Sequence, residues 1–387
     1  MHARPELIRD LSDGEARRAL SSKWGTVAPD ELPAWIAEMD YATAPVVLEA
    51  LGEAVAAGIT GYPPLGAGGA LGEAYAGFAR RHFDQVVDPE QVMPVCDVTA
   101  GIRLALDVLS EDAPVVLPVP AYPPQLRVAE VTGRELIPVP LDPDAPDAAL
   151  DLTGIDRALR AGARTVLLTQ PQNPLGRAYR RAELEGLRDV VTAHGARVLS
   201  DEVHAPLVLP GAEHVPYLGI SGTADHAVVV VAASKAFNTA GLRCAQLVTA
   251  DTATRDLLLS VPDVRNDSWS PLGVVGAVAA YTAGDEWLAA LVARLDQMRT
   301  VLADLLAEFL PDARMRPLEA TYLAWLDLRA YGHDDPAAVV RERGRVVLSP
   351  GHEFHPGLPG HVRVNVATSP DRLTEIVRRM ASALTAG

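Results

Sequence analysis

The sequence predicts an α/β protein: a mostly parallel central sheet with helices on both faces, joined to a smaller α+β domain. Three observations predict it. Through the middle of the 387 residues, short apolar runs alternate with amphipathic stretches of helical period, the rhythm of β-α units whose strands are buried on both faces. From about Pro271 the texture changes to long helical patterns followed by isolated strands. Apolar residues make up 49% of the chain against 22% charged, enough for a large core.

The elements follow in order. The first forty-odd residues join the small domain, so the expected division is 1–45 with the small domain, 46–280 as the large domain and 281–387 as the small C-terminal domain. Runs rich in valine, isoleucine and leucine predict strands at Val92–Val95, Val115–Val119, Glu135–Val139, Thr165–Thr169, Arg197–Ser200, Ala227–Val231 and Ala245–Thr249. Between them, helical patterns cover Ile102–Leu109, Pro124–Thr132, Leu152–Ala161 and Arg181–His194. One long helix is expected over Pro271–Leu310 with a break near Gly284, then strands at Thr321–Asp327 and His361–Val366, then a helix at Asp371–Leu384. Gly66–Gly69 follows no strand, so it reads as a loop and not as a dinucleotide fingerprint.

Composition narrows the partners. A net charge of −16 argues against nucleic acid or an anionic membrane as the main partner. The stretch MHARPELIRD has no apolar segment and therefore no signal-peptide character. Apolar runs such as LGVVGAVAAY are too short to span a bilayer. The expectation is a soluble cytoplasmic protein. Cys96 and Cys244, the two cysteines, have no metal spacing and read as small buried apolar residues. No metal site is expected.

Of 34 basic residues only two, Lys23 and Lys235, are lysine. Lys235 follows the valine run 228–231 and a small Ala-Ala-Ser turn. A lysine held against an apolar strand end loses part of its preference for the ammonium form and becomes a nucleophile toward carbonyls. Other strand ends supply TQPQNPLGR, SDEVHAP and PAYPP, and parallel sheets bind ligands at the carboxyl ends of their strands. An amine, a carboxylate, an imidazole, an amide and a phenol ring at one sheet edge suit pyridoxal phosphate (PLP), whose chemistry needs a lysine Schiff base and a carboxylate on the ring nitrogen. The helix start in VTAGIRL, with Ser234 and Arg243, suits a phosphate.

The blocks TGYPPL, PAYPP, NPLG, SDEVHAPLV, SKAFNTAGLRCAQ and HVRVNVAT, with KWGTVAPDELPAWIAEMDYATAP and TYLAWLDLRAYG, resemble fold-type-I PLP enzymes over essentially the whole chain. Within the class I/II aminotransferase superfamily they are most similar to the MalY/PatB-type cystathionine β-lyase branch. The resemblance implies Lys235 as the Schiff-base lysine, Asp201 as partner of the pyridine nitrogen, and Asn173 as donor to the ring hydroxyl oxygen, with His204 nearby. It implies Tyr122 stacked on the ring. Backbone of Ala100, Gly101 and Ile102, with Ser234 and Arg243, is expected on the phosphate. Arg363 is expected on the substrate α-carboxylate. Tyr62 resembles a tyrosine that reaches the neighbouring subunit's phosphate, which implies a homodimer. Gln172, Leu175 and Ala232 depart from the commoner aminotransferase pattern.

The reaction implied is β-elimination on L-cystathionine or a related L-cysteine S-conjugate, giving a thiol, pyruvate and ammonia. An aminotransferase uses the same residues and is the second reading. A non-catalytic PLP-binding regulator is the third, and intact Lys235, Asp201, Asn173 and Arg363 argue against it.

Overall fold

Seven strands form the central sheet, in spatial order Val92–Val95, Ala245–Val248, Ala227–Val231, Arg197–Asp201, Thr165–Thr169, Val115–Val119 and Leu136–Pro140. Ala245–Val248 is antiparallel to both its neighbours, and the other strands run one way. The computed structural model describes residues 7–63, 65–145 and 147–385. The first six residues of MHARPELIRD and Pro64 of the Gly-Tyr-Pro-Pro turn lie outside them.

The sheet bears out the expected fold class for a clear physical reason. Every residue of Val115–Val119, Thr165–Thr169 and Ala227–Val231 is buried. Strands covered by helices on both faces must be apolar throughout, so they read as continuous runs. Leu136–Pro140 carries Pro138 and Pro140 and lies at the sheet edge, where missing donors cost no ladder bond.

The helix expected from Ile102 starts four residues earlier, spanning Val98–Leu109, because Asp97 caps it: its carboxylate accepts from Ala100 N at 2.7 Å. The expected break at Gly284 separates helices Pro271–Ala283 and Asp285–Phe309. A Cβ on Gly284 would come within 2.5 Å of the Phe237 ring, so only glycine fits there. The glycine stretch 66–69 is a loop only as far as Gly68. Gly69 opens a helix, Gly69–Phe83, that local period did not announce. Pro45–Ala56 is a further helix, rich in alanine and packed against Pro271–Ala283.

The C-terminal part holds a four-stranded antiparallel sheet in the order Ser349–Pro350, His361–Asn365, Leu323–Asp327, Arg314–Met315. Leu32–Pro33 pairs in parallel with Val346–Val347. Beyond that pairing, Trp35–Asp40 runs as a strap toward the central sheet. Asn365 Nδ2 donates to the carbonyls of Ile36 and Glu38, both at 2.7 Å, and Tyr322 Oη donates to Ala37 O at 2.9 Å. Lys23, fully buried, binds Asp40 Oδ1 at 2.9 Å and donates to Glu38 O at 3.0 Å. Among the described residues no helix is long and apolar enough to cross a membrane.

Candidate active site

The carboxyl ends of the parallel strands converge on a cavity of about 220 Å³. Asp201 is the last residue of its strand. Asn173 follows Thr165–Thr169 on a turn, and Lys235 follows Ala227–Val231. Tyr122 immediately precedes the helix Pro123–Val131. All four line the cavity, with Ile102, His204, Ser234 and Arg243.

Lys235 is half-buried and lines the cavity. Its Nζ donates to Ala37 O at 3.3 Å, the carbonyl that also accepts from Tyr322. Burial pushes the amine down from the usual lysine range, opposed by the charges of Glu38 and Asp201. Asp201 is buried. Burial raises its carboxyl to about 7, against a hydrogen bond from Val203 N and the Lys235 charge. Gln125 Nε2 donates to its Oδ2 at 2.8 Å. Thr169 Oγ1 donates in turn to Gln125 Oε1 at 2.7 Å and so fixes which way the amide faces.

His204 is buried with Nδ1 unpartnered. Burial, with the positive charges of Lys235 and Arg363, takes its imidazole down to about 3, so the ring is neutral. Arg363 lies beside the cavity on the strand His361–Asn365. Its Nη1 donates to Asn173 Oδ1 at 2.9 Å and its Nη2 to Trp35 O at 2.8 Å. Its Nε is buried and has no partner. Phe354 lies under the guanidinium, 4.8 Å from the ring centre. Because Asn173 Oδ1 accepts from arginine, its Nδ2 is left to donate elsewhere.

The N–H groups of Ala100, Gly101 and Ile102, expected on the phosphate, already have partners within the chain. Ala100 N donates to the Asp97 side chain and Gly101 N to the Asp97 carbonyl at 2.9 Å, and Ile102 N falls within the helix ladder. The cap starts the helix earlier, so the N–H groups left over are those of Val98 and Thr99, which line the cavity. Gly101 instead faces the sheet. A Cβ there would meet Val95 Cγ2 at 3.1 Å and Val230 Cγ1 at 3.3 Å. Arg243 is largely exposed and binds Asp97 Oδ2 at 2.9 Å. Cys96 and Cys244 are half-buried and line the cavity, which corrects their reading as core residues. Tyr62 is fully exposed on this chain.

Several residues of the site escaped sequence reasoning. The strap Trp35–Asp40 contributes backbone carbonyls, which no side-chain pattern announces. Gln125 and Thr169 hold Asp201 from a helix and a strand of ordinary apolar texture. Glu202, next to Asp201, is buried and accepts from Gln170 Nε2 at 2.9 Å, Ser200 Oγ at 2.9 Å, Tyr217 N at 2.9 Å and His214 Nε2 at 3.0 Å. It anchors the strand end from beneath. The acidic pair in SDEVHAP was the available signal.

The donor set fits PLP: an amine of lowered basicity, a buried carboxyl for a ring nitrogen, a neutral imidazole with an unpartnered nitrogen, and free N–H groups at a helix start. Residues 36–380 match the family model described as aminotransferase class I and II. The chain is 35% identical to the cystathionine β-lyase of Corynebacterium glutamicum, over 97% of this chain and 99% of that protein. It is 32% identical to the cystathionine β-lyase PatB of Bacillus subtilis, over 92% and 93% respectively. Its structure superposes on a Corynebacterium diphtheriae protein designated a PLP-dependent β-cystathionase with a TM-score of 0.92 at 33% identity, covering 98% of this chain and 99% of that one.

Proposed function

This chain belongs to the aminotransferase class I and II family, and we propose that it is a PLP-dependent carbon–sulfur β-lyase acting on L-cystathionine or a related L-cysteine S-conjugate. The observation that carries this reading is the placement of Lys235, the one lysine in the cavity, in the same cavity wall as a buried Asp201 carboxyl. The relatives named as cystathionine β-lyases support the reaction class.

Bound PLP supplies an aldehyde that condenses with amines and a pyridinium ring that draws electrons from the bonds at an amino acid's Cα. Lys235 Nζ would hold the cofactor until substrate arrives, then take the Cα proton as general base; its lowered basicity suits both tasks. Asp201, pinned by Gln125 and Val203 N, would keep a proton on the ring nitrogen. Asn173 Nδ2 would donate to the ring hydroxyl oxygen, with neutral His204 beside it. Tyr122 would cover the ring face. Val98 and Thr99 N–H, with Ser234, would bind the phosphate, and Arg243 would add its charge there. Arg363 would hold the substrate α-carboxylate, for which its buried Nε is free. With that carboxylate fixed and the Cα proton lost to Lys235, sulfur departs from Cβ and the three-carbon remainder hydrolyses to pyruvate and ammonia.

The working unit in this reading is a cytoplasmic homodimer. Leu48, Val55, Ile59, Tyr62 and Leu65 are all exposed within one stretch, an apolar surface that suits a second copy, with Tyr62 reaching the neighbouring site. Residues 46–280 would carry the cofactor, and 281–387 with 1–45 the smaller domain. The test is PLP-loaded enzyme offered cystathionine and cysteine conjugates without a keto-acid acceptor. Pyruvate, ammonia and thiol in equal amounts are expected. Turnover that requires a keto acid would make it a transaminase. Lys235→Ala should lose both the Schiff-base absorbance and turnover.

A further inference from the structure

The antiparallel ladder between Val92–Val95 and Ala245–Val248 pairs Val95 with Ala245. That is the last pair of the ladder, and one step past the ends of both strands the same count brings Cys96 to Cys244. Two steps on, it sets Asp97 opposite Arg243, and those side chains meet at 2.9 Å. The cysteines are thus bracketed by a backbone pair on one side and an ion pair on the other.

The class of the position follows from the ladder. Thr249 N donates to Gln91 O at 3.1 Å, so that pair is hydrogen-bonded, as are alternate pairs through Val95 and Ala245. Pro94, opposite Gln246, has no N–H to give. Cys96 and Cys244 follow one step past the ends of both strands, next in an alternation whose second class holds Cα atoms about 4.5 Å apart with side chains closest. Disulfides span Cα separations of about 4.4–6.8 Å. Both thiols line the cavity and are half-buried, so a small reagent reaches them.

We infer that Cys96 and Cys244 form a reversible dithiol–disulfide site in the wall of the cavity, oxidised by low-molecular-weight disulfides. Cys96 lies just before the helix Val98–Leu109, in the cavity wall. Burial pushes the Cys244 thiol up to about 12, so Cys96 attacks first. Its thiolate displaces one thiolate from the reagent and forms a mixed disulfide. Cys244 gives its proton to that leaving thiolate and attacks Cys96 Sγ, releasing the second thiol. Two protein thiols are oxidised and one disulfide is reduced to two thiols. The closed bridge would tie the Asp97 turn to the strand start at Arg243, beside the proposed phosphate site. The inference holds whichever reaction the enzyme performs.

The test is the PLP-loaded full chain incubated with oxidised glutathione, with free thiols titrated and non-reduced peptides mapped by mass spectrometry. The chain has two cysteines, so loss of both thiols with one Cys96–Cys244 linked peptide pair is expected, reversed by dithiothreitol. Cys244→Ser should instead retain one glutathione on Cys96, and Cys96→Ser should react far more slowly. Two persistent thiols, a glutathione on each wild-type cysteine, or links only between chains would overturn the inference.

Discussion

Arg363 and Asn173 stand 190 residues apart in the chain and meet in one hydrogen bond of 2.9 Å from Nη1 to Oδ1. That bond joins the C-terminal sheet to the carboxyl edge of the central one. It also orients Asn173, turning its amide nitrogen away from the arginine. Arg363→Ala should therefore lower kcat/KM by about two to three orders of magnitude, mainly through KM, since losing one partner of a buried charged pair costs about 2–5 kcal/mol. Arg363→Lys should recover only part, because a point charge cannot hold Asn173, Trp35 and a carboxylate at once. Steady-state kinetics on one cysteine conjugate decide it; an unchanged KM in the alanine variant would remove Arg363 from the substrate site.

The carboxyl of Asp201 and the imidazole of His204 give opposite pH signatures. Asp201 is raised to about 7 from 3.8, so the folded chain binds the extra proton in that window and stability falls as pH rises through it, by up to about 4 kcal/mol. His204 is lowered to about 3 from 6.5, so the unfolded chain binds the extra proton and stability falls as pH drops below 6.5. In the cofactor-free wild type the two oppose each other between about pH 4 and 6.5. Asp201→Asn should expose the acid-side loss, and His204→Gln the loss toward neutral pH. Thermal melts across that range test both signs.

Lys23 is the more deeply buried of the two lysines. Its partner Asp40 also accepts from Trp24 Nε1 at 2.7 Å and lies 3.5 Å from Arg372. Lys23→Met leaves a buried carboxylate compensated only by Arg372 and should cost about 3–5 kcal/mol in urea unfolding. Lys23→Met with Asp40→Asn should be less damaging than Lys23→Met alone. A single variant as stable as wild type would show the pair to be dispensable.

Gly101→Ala should destabilise despite improving helix propensity. The added methyl meets Val95, Val230 and Leu247 at 3.1–3.4 Å, and overpacking of about 1–3 kcal/mol outweighs a propensity gain near 1. The displaced helix start should also weaken PLP binding, measured as cofactor dissociation against denaturant midpoint.

What was legible in the sequence was local. Lys235, Asp201 and Asn173 each follow an apolar run closely, so strand prediction alone brings them to one edge. The cavity's other wall was not legible, because Trp35–Asp40 acts through carbonyls and reaches the site by pairing near Val346. The helix starts earlier than expected because the capping role of Asp97 is visible only in the bond it accepts from Ala100 N. Cys96 and Cys244 looked like core residues because strand register, set between segments about 150 positions apart in the chain, is written in neither segment alone.

Both ε-amines of this chain lie inside it, one sealed against Asp40 and one facing the cavity. Apart from the α-amine, an acylating label or amine cross-linker therefore has no surface lysine to find. Attachment chemistry for this protein must turn to other groups, its carboxylates, arginines or cavity thiols. Conversely, rapid acylation of Lys23 would report unfolding, and acylation confined to Lys235 would report an open, cofactor-free cavity in an otherwise intact molecule.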